Sequence, residues 1–351
     1  MKANLLFQTL SALFQTRRTV CIEGAPGGGK TTIVREVAAS LNVPVVELHM
    51  PTMLVEDFGV LYPDSTGGGQ SAPTLSYRLP QWFPDEANPD TPRDGILLFD
   101  DRNQASPDLQ KVLANICQAR TLHGHRLPDG WQVVSTGNRQ SDRAGANRVL
   151  SHLRNRETVI TLDTSVPDWT RWAAAHGVAP EVVAFINFRP DLLHDFDAAR
   201  DVNPTPRSWV DGVSAMLTSP SPLPDGADYE VFAGAVGEGA ATEFVGFLRT
   251  WRSLPDVDGI FANPQAATVP TAPDVLYALC GALAKHVTAQ TMGAFVEYLG
   301  RLPREFSVLA MRIAIDNDTA LVKAEKRPQE ESLQRHAAFV KWAVENQEVL
   351  F

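Results

Sequence analysis

Gly24-Ala25-Pro26-Gly27-Gly28-Gly29-Lys30-Thr31-Thr32 is the stretch of this sequence that decides the fold. It matches the pattern G-x-x-x-x-G-K-[ST], in which glycines let the backbone wrap closely around an anion. A short apolar strand is predicted directly before it, over residues 19–23. A helix is predicted directly after it, because five apolar residues recur with helical spacing on one face: Ile33, Val34, Val37, Ala38 and Leu41. Strand, loop and helix are the context that this pattern requires.

The chemistry of the loop predicts a nucleoside triphosphate as its ligand. Backbone N–H groups and the positive end of the following helix dipole attract phosphate oxygens. Lys30 is expected to reach the β- and γ-phosphates, and the Thr31 hydroxyl to bind Mg²⁺. The Asn-Lys-x-Asp motif of GTPases is absent from the sequence, which favours ATP. The alternative interpretation is a glycine-rich turn between a strand and a helix that contains an incidental lysine.

A second apolar stretch, residues 94–101, ends in the paired carboxylates Asp100 and Asp101. Beside the strand that leads into the loop, this pair would form the second half of an ATP site. Asp100 would support Mg²⁺ through its waters, and Asp101 would polarise the attacking water. The alternative is that the pair only caps the next helix. A third strand, at residues 131–136, leads to Asn138, whose amide can hold that water; here the alternative is an asparagine in a turn.

Composition and charge exclude several other classes of protein. The 351 residues are 44% hydrophobic and 21% charged, as in ordinary globular proteins. The net charge of −10 argues against a broad nucleic-acid surface, so nucleic acid is not expected as a partner. The three cysteines form no C-x-x-C pair, so neither a disulfide framework nor a zinc site is predicted. No signal-peptide pattern or membrane-span-length apolar run occurs, and we expect a cytoplasmic protein.

Hydrophobic periodicity predicts an α/β core with a parallel sheet, followed by helices. Strands are predicted at residues 19–23, 45–48, 95–99, 132–136 and 158–162. The stretch 50–94 is too long for one loop and is predicted to be an insert with structure of its own. Beyond Ser165 only helices are predicted, at residues 169–175, 180–186, 208–217, 240–251 and 272–290. We therefore predict a nucleotide-binding core over 1–164, a helical lid over 165–254 and a helical extension over 255–351.

Several further stretches extend these motifs. The acidic pair continues as Arg102-Asn103-Gln104-Ala105-Ser106-Pro107-Asp108-Leu109-Gln110, and Pro204-Thr205-Pro206-Arg207 lies in the predicted lid. The order of these motifs resembles that of AAA+ ATPases. The residues within the motifs are most similar to those of the MoxR-like branch. In that branch an Asp-Glu pair precedes Asn-x-Ala and Pro-x-x-Gln. Residues 50–59 stand where it carries its helix-2 insert, and residues 120–127 resemble its hairpin before sensor 1. The resemblance implies a P-loop NTPase (AAA+) fold over residues 15–250.

The resemblance also implies a role for each matching residue. Lys30 and Thr31 would bind phosphate and Mg²⁺, Asp100 would support the metal, Asp101 would activate water, Asn138 would act as sensor 1 and Arg207 as sensor 2. Arg156 matches the arginine finger that reaches the nucleotide of the neighbouring subunit.

Two residues depart from the family pattern. Asp101 replaces the usual Glu, which shortens the reach to water by one methylene group. Glu157 replaces the Phe that commonly follows the finger, so Arg154 and Arg148 remain alternatives to Arg156 for that role.

The implied function is Mg²⁺-dependent ATP hydrolysis by a homo-oligomeric ring, with a hexamer favoured, that remodels or chaperones a client protein. In this branch the client is often a protein with a von Willebrand factor A domain. One alternative is an ATP-gated assembly scaffold with little hydrolysis, suggested by Asp101. Another is a DNA-directed motor of a phage-related system, which the acidic balance disfavours.

Two smaller features allow two interpretations each. His123 and His125 are spaced like metal ligands, but the sequence offers no acidic or cysteine partner nearby, and a hairpin turn is favoured. Trp82 and Phe83 in the insert form either a surface that grips a substrate or the packing core of the insert.

Overall fold

The computed structural model of the chain describes residues 1–14, 16–63, 75–139, 149–224, 226–254, 256–323 and 328–346, and only the backbone of residue 152. The chain divides into two compact units, Met1–Thr164 and Ser165–Phe351. The glycine tip of the insert at residues 67–69, the arginines Arg143 and Arg148, and the apolar end at residues 349–351 lie outside the described residues.

The first unit is built on a five-stranded parallel sheet. Its described strands are β1 Thr19–Gly24, β2 Val45–His49, β3 Val60–Pro63, β4 Leu75–Arg78, β5 Asp94–Asp100, β6 Thr121–Leu122, β7 His125–Arg126, β8 Gly130–Asn138 and β9 Glu157–Thr161. The order across the main sheet is β2-β5-β8-β1-β9, and every neighbouring pair is parallel. All five predicted core strands are confirmed.

Alternating side chains on the buried strands divide the core into two layers. On β5, Ile96 and Leu98 pack with α1 (Ala3–Leu13) and α2 (Lys30–Leu41), in one apolar cluster. Leu97 and Phe99 point the other way and pack against α3 (Pro107–Ala119) and α4 (Ser151–Arg154). Because side chains alternate along a strand, an almost continuous apolar run is what a strand covered on both faces requires.

The insert has structure of its own, as predicted. Two short 3₁₀ helices, Met50–Thr52 and Val55–Phe58, lead into the antiparallel hairpin β3–β4. Phe83 is buried in the same cluster as Phe58, and the Trp82 indole donates to the Asp57 carbonyl at 3.0 Å. The packing interpretation of Trp82 and Phe83 therefore fits the structure.

The predicted hairpin before β8 is confirmed as the antiparallel pair β6–β7. His123 and Gly124 at its tip have φ of 50° and 89°, the left-handed conformation that such tight turns require. His123 Nε2 lies 2.9 Å from the Phe58 carbonyl, and His125 Nδ1 lies 2.8 Å from Asp85 Oδ2. Asp85, in the insert, is an acidic partner of His125 that the sequence did not suggest. The two histidines nevertheless contact the insert separately, which agrees with the hairpin interpretation.

The second unit is helical in its described residues. Its helices are α5 Val166–Ala175, α6 Pro180–Phe188, α7 Ala215–Leu217, α8 Asp228–Val236, α9 Glu238–Arg252, α10 Val257–Ala262, α11 Pro273–His286, α12 Met292–Leu299, α13 Arg304–Lys323 and α14 Ala337–Glu345. A π-helical segment, Ser208–Ser214, runs directly into α7. Two apolar clusters fill the unit, one around Phe185 and Phe244 and one around Met311 and Phe295.

One predicted helix is shorter than expected. The prediction of a helix over residues 272–290 was wrong at its end, because α11 stops at His286 and Val287 is extended. Thr288 and Thr291 provide the reason. Each backbone N–H of this pair donates to the side-chain hydroxyl of the other, at 2.9 and 3.3 Å. Such local bonds compete with helical ones and favour a turn.

Among the described helices, none combines the length and the hydropathy that crossing a membrane requires.

The close approach of α11 to α6 depends on Gly281. A Cβ atom at this position would lie 2.8 Å from the Ala184 Cβ and 3.1 Å from the Trp251 ring. We predict that Gly281→Ala lowers the free energy of unfolding by about 1–3 kcal/mol through overpacking. Gly246→Ala is the matched control, since this exposed position in α9 has nothing within 4 Å of an added Cβ. It should raise stability by about 0.5–1 kcal/mol. Urea unfolding measures both, and equal effects of the two variants would contradict this packing.

Candidate nucleotide-binding site

The parallel register brings the predicted site residues to one edge of the sheet. Gly24, which opens the glycine loop, lies beside Asn138 at the end of β8. His49 at the end of β2 lies beside Asp100 at the end of β5. Ligand sites of open α/β sheets form at the carboxyl ends of the strands, where loops and helix N-termini converge. This edge therefore has the place in the fold that a nucleotide site needs.

The glycine loop has the backbone conformation that its sequence predicts. Gly27 and Gly29 have φ of 70° and 86°, which residues with a Cβ rarely adopt. The Gly28 N–H donates to the Ala25 carbonyl at 3.3 Å and closes the turn. Helix α2 begins immediately afterwards at Lys30, so its N-terminal dipole end faces the loop. The loop and helix start form a cradle suited to an anion.

Lys30 joins the loop to β8. Its ammonium donates to the carbonyls of Gly24 at 3.1 Å and Ala25 at 3.0 Å, and to Asn138 Oδ1 at 2.9 Å. Only 7% of Lys30 is exposed. The structure thus brings together a lysine and an amide that are 108 residues apart in the sequence.

Asn103 fixes the position of Asn138, and sequence reasoning gave it no role. Its side-chain amide donates to the Asn138 carbonyl at 2.7 Å, while the Asn138 N–H donates back to Asn103 Oδ1 at 3.3 Å. Both residues are buried. Asn138 is therefore the last residue of a strand, held by a reciprocal pair of hydrogen bonds, and the alternative of an asparagine in a loose turn does not describe it.

Asp100 accepts two short hydrogen bonds through one oxygen. The hydroxyls of Thr31 and Thr136 each donate to Asp100 Oδ1 at 2.6 Å. The Thr136 hydroxyl also accepts from the Asp101 N–H at 2.9 Å. Thr136 therefore connects both acids to β8, a role that the sequence did not suggest. Thr31 and Asp100, the two residues expected to bind or support Mg²⁺, thus lie in direct contact.

Asp101 adopts an uncommon backbone conformation. Its φ of 54° and ψ of 44° place it in the left-handed region, where non-glycine residues cost free energy and often mark functional sites. It precedes the 3₁₀ helix Arg102–Gln104 but makes no side-chain capping bond to it. Helix α3 is capped instead by Ser106, which accepts from the Leu109 N–H at 3.3 Å. The described residues therefore do not form the alternative arrangement, in which the acidic pair only caps the next helix.

The donor atoms around Asp100 suit a hard divalent cation. His49, Asp100 and Asp101 each offer one ligand atom, and these atoms lie within 4.8 Å of one another. His49 Nδ1 is 3.6 Å from Asp100 Oδ2. With the Thr31 hydroxyl the set contains mainly oxygen atoms, which Mg²⁺ prefers. Sequence reasoning missed His49; its position at the end of the strand next to β5 was the available signal.

The arginines differ in their surroundings. Arg154 pairs with Glu23 Oε2 at 3.3 Å within its own chain. Arg156 is half-buried, and its side chain makes no hydrogen bond or ion pair to another described residue. Arg139 is held by the Leu162 carbonyl at 2.6 Å and by Asp163 at 2.9 Å. Arg207 is exposed in the second unit, next to the start of the π-helical segment.

Glu157, one of the two residues that depart from the expected family pattern, has a buried partner in Arg102. Arg102 is 1% exposed, and its Nη2 lies 3.0 Å from Glu157 Oε2 and 3.3 Å from Glu23 Oε1. Its Nε donates to Ser135 Oγ at 3.2 Å, and Ser135 donates to Glu157 Oε1 at 2.7 Å. Burial raises the pKa of the Glu157 carboxyl, an effect that the Arg102 charge opposes. Sequence reasoning did not pair these residues.

The nearby thiol is not reactive. Cys21 is fully buried beside this charged group, and burial raises the pKa of its thiol to about 12. A protonated, buried thiol is a poor nucleophile.

Comparison with known proteins agrees with this geometry. Residues 19–156, less than half of the chain, match the family model described as AAA domain (dynein-related subfamily). The first unit has the α/β fold of an AAA domain. The matched segment runs from the first residue of β1 to Arg156 and contains the glycine loop, both acids and Asn138. No curated protein matches the sequence.

Solved structures that are similar to this chain are distant in sequence. NtrX from Brucella abortus with ADP is 14% identical, with 99% of this chain and 68% of that chain covered and a TM-score of 0.39. Its ATP complex gives the same identity and coverage, with a TM-score of 0.41. An ATPase candidate from Cytophaga hutchinsonii is 13% identical, with 89% and 81% covered and a TM-score of 0.32.

Proposed function

We propose that the AAA domain binds ATP with Mg²⁺ and hydrolyses it. One observation carries this proposal. Four side chains expected at an ATP site, those of Lys30, Thr31, Asp100 and Asn138, lie at the mouth of the glycine loop, joined in two hydrogen-bonded pairs. They come from the start of α2 and from the ends of β5 and β8. Phosphoryl transfer requires these four residue types together at one site.

Each side chain has a distinct task in this proposal. Lys30 would exchange its carbonyl partners for phosphate oxygens and neutralise their charge. Thr31 and Asp100 would hold Mg²⁺, which neutralises charge on the phosphates when bound. Asp101 would accept a proton from the water that attacks the γ-phosphorus, as the bond to ADP breaks, and Asn138 would orient that water.

We propose further that the protein works as a ring of the MoxR-like branch, with a hexamer favoured. Arg156 fits a finger that acts on the neighbouring subunit, because it has no partner among the described residues of its own chain. Arg154, by contrast, already pairs with Glu23. Arg207 would act as sensor 2. The energy of hydrolysis would remodel a client protein, for which a von Willebrand factor A domain is our first candidate.

Lys30→Ala should remove most nucleotide affinity and nearly all turnover, because the variant lacks the one loop side chain whose charge faces the phosphates. Fluorescent-nucleotide binding and phosphate release measure the two effects. Lys111→Ala is the matched control, since Lys111 is exposed on α3 and pairs only locally with Asp108 at 2.7 Å. Unchanged turnover in Lys30→Ala would place the active site elsewhere.

Asp101→Asn should keep nucleotide binding and stop hydrolysis, because an amide cannot accept the proton of water. Asp101→Glu restores the missing methylene and should hydrolyse ATP at least as fast as the wild type. Phosphate release at saturating Mg·ATP measures both variants. Normal hydrolysis by Asp101→Asn would remove the acid from the mechanism, and a wild type without turnover would favour the ATP-gated scaffold.

Arg156→Ala should lower turnover by at least about 10³-fold, because an arginine finger stabilises the charge of the transition state. Mixing it with Lys30→Ala subunits should restore part of the activity, since some interfaces then combine an intact loop with an intact finger.

Sedimentation with a slowly hydrolysed ATP analogue measures assembly. A larger loss in Arg154→Ala than in Arg156→Ala would reassign the finger, and a protein that stays monomeric with the analogue would contradict a finger acting between subunits.

A further inference from the structure

A buried group of polar and charged side chains lies behind the proposed ATP site. We name it the Arg102 network and define it as Arg102, Glu23, Ser135 and Glu157. Arg102 contacts all three other members, at 3.3 Å to Glu23, 3.2 Å to Ser135 and 3.0 Å to Glu157. Ser135 and Glu157 are also joined directly, at 2.7 Å. The network thus connects β1, β8 and β9 to the turn that follows β5.

The members of this network are sequence neighbours of the proposed functional residues. Arg102 directly follows the water-activating Asp101. Glu23 directly precedes Gly24, the first residue of the glycine loop. Glu157 directly follows Arg156, the proposed finger. One guanidinium therefore ties together the three backbone segments that would carry the acid, the phosphate loop and the finger.

Stability alone does not account for such a network. Arg102 and Glu157 are 1% and 4% exposed, so both charges have been removed from water. A buried ion pair is commonly no more stabilising than well-packed apolar residues of similar size. What the planar guanidinium does provide is geometry. Its Nη2 contacts both carboxylates and its Nε contacts Ser135, while Nη1 has no hydrogen-bond partner in the described part of the chain.

We propose that Arg102 is a positioning residue that couples the ATP site of one subunit to the finger that this subunit gives to its neighbour. The proposal rests on the proposed function. A movement of the loop or of Asp101 when nucleotide binds would pass through the guanidinium to Glu157, and so to Arg156. The nucleotide bound at one site would thereby determine the position of the arginine finger at the next site.

The test uses an isosteric apolar pair, Arg102→Met with Glu157→Leu, in the full-length protein. Removing both charges together leaves Glu23 paired with Arg154 and no unpaired buried charge, so the double variant should fold, whereas each single variant should be less stable. Turnover at saturating ATP should fall at least about tenfold in the double variant, because misplaced catalytic groups lower the rate of the chemical step. KM should change less than about twofold, because the loop and Lys30 are intact.

Arg102→Lys is a second variant that keeps the charge and loses the planar guanidinium; it should also lower turnover.

Hydrogen exchange provides a readout that needs binding but no hydrolysis. In an Arg156→Ala background, which removes direct contact of the finger with a neighbour's nucleotide, a slowly hydrolysed ATP analogue should slow exchange in residues 151–161 several-fold. Adding Arg102→Met and Glu157→Leu should abolish this protection while analogue binding persists. Arg17→Met with Asp129→Leu is the matched control, since this exposed pair at 2.6 Å lies outside the network.

The outcomes separate the two proposals. Wild-type turnover and retained protection in the double variant and in Arg102→Lys would overturn the coupling role of Arg102. Loss of turnover together with loss of analogue binding would show a general structural role and would also overturn it. Wild-type protein that binds the analogue without hydrolysing ATP would overturn the proposed hydrolysis, and the exchange experiment would still decide the coupling.

Discussion

The parallel register of β1, β5 and β8 is the constraint on which the site depends. Because all strands run the same way, their carboxyl ends share one edge, and Gly24 lies beside Asn138. A one-residue slip of β8 would turn Asn138 away from Lys30 and Thr136 away from Asp100, since successive side chains point to opposite faces. Ile96 and Leu97 of β5 belong to different apolar clusters, so the sheet is packed on both faces in this register. Packing in the core thus positions polar atoms at the edge.

Much of the fold follows from local features of the sequence. The glycine pattern between an apolar strand and a helical stretch has few structural solutions, because two of its residues take a left-handed backbone. The five core strands were predictable because strands buried on both faces read as short apolar runs. The end of α11 was not predictable from periodicity, since the hydroxyls of Thr288 and Thr291 decide it by bonding backbone N–H groups.

The site was predictable where a residue itself performs the chemistry, and not where it supports another residue. Lys30, Asp100 and Asn138 belong to known motifs and were found, although their roles remain proposals. Thr136 hydrogen-bonds Asp100 over 36 positions of sequence, and Asn103 hydrogen-bonds Asn138 over 35. Nothing in a single sequence marks such partners. Glu157 was visible as a departure from the family pattern, but its partner Arg102 emerged only from the fold.

The burial of Arg102 against Glu157 also limits how this protein can evolve. A substitution that removes one charge leaves the other buried and unpaired, and a protein with such a single substitution is expected to fold poorly. We therefore expect related proteins to keep or to lose the charges of Arg102 and Glu157 as a pair.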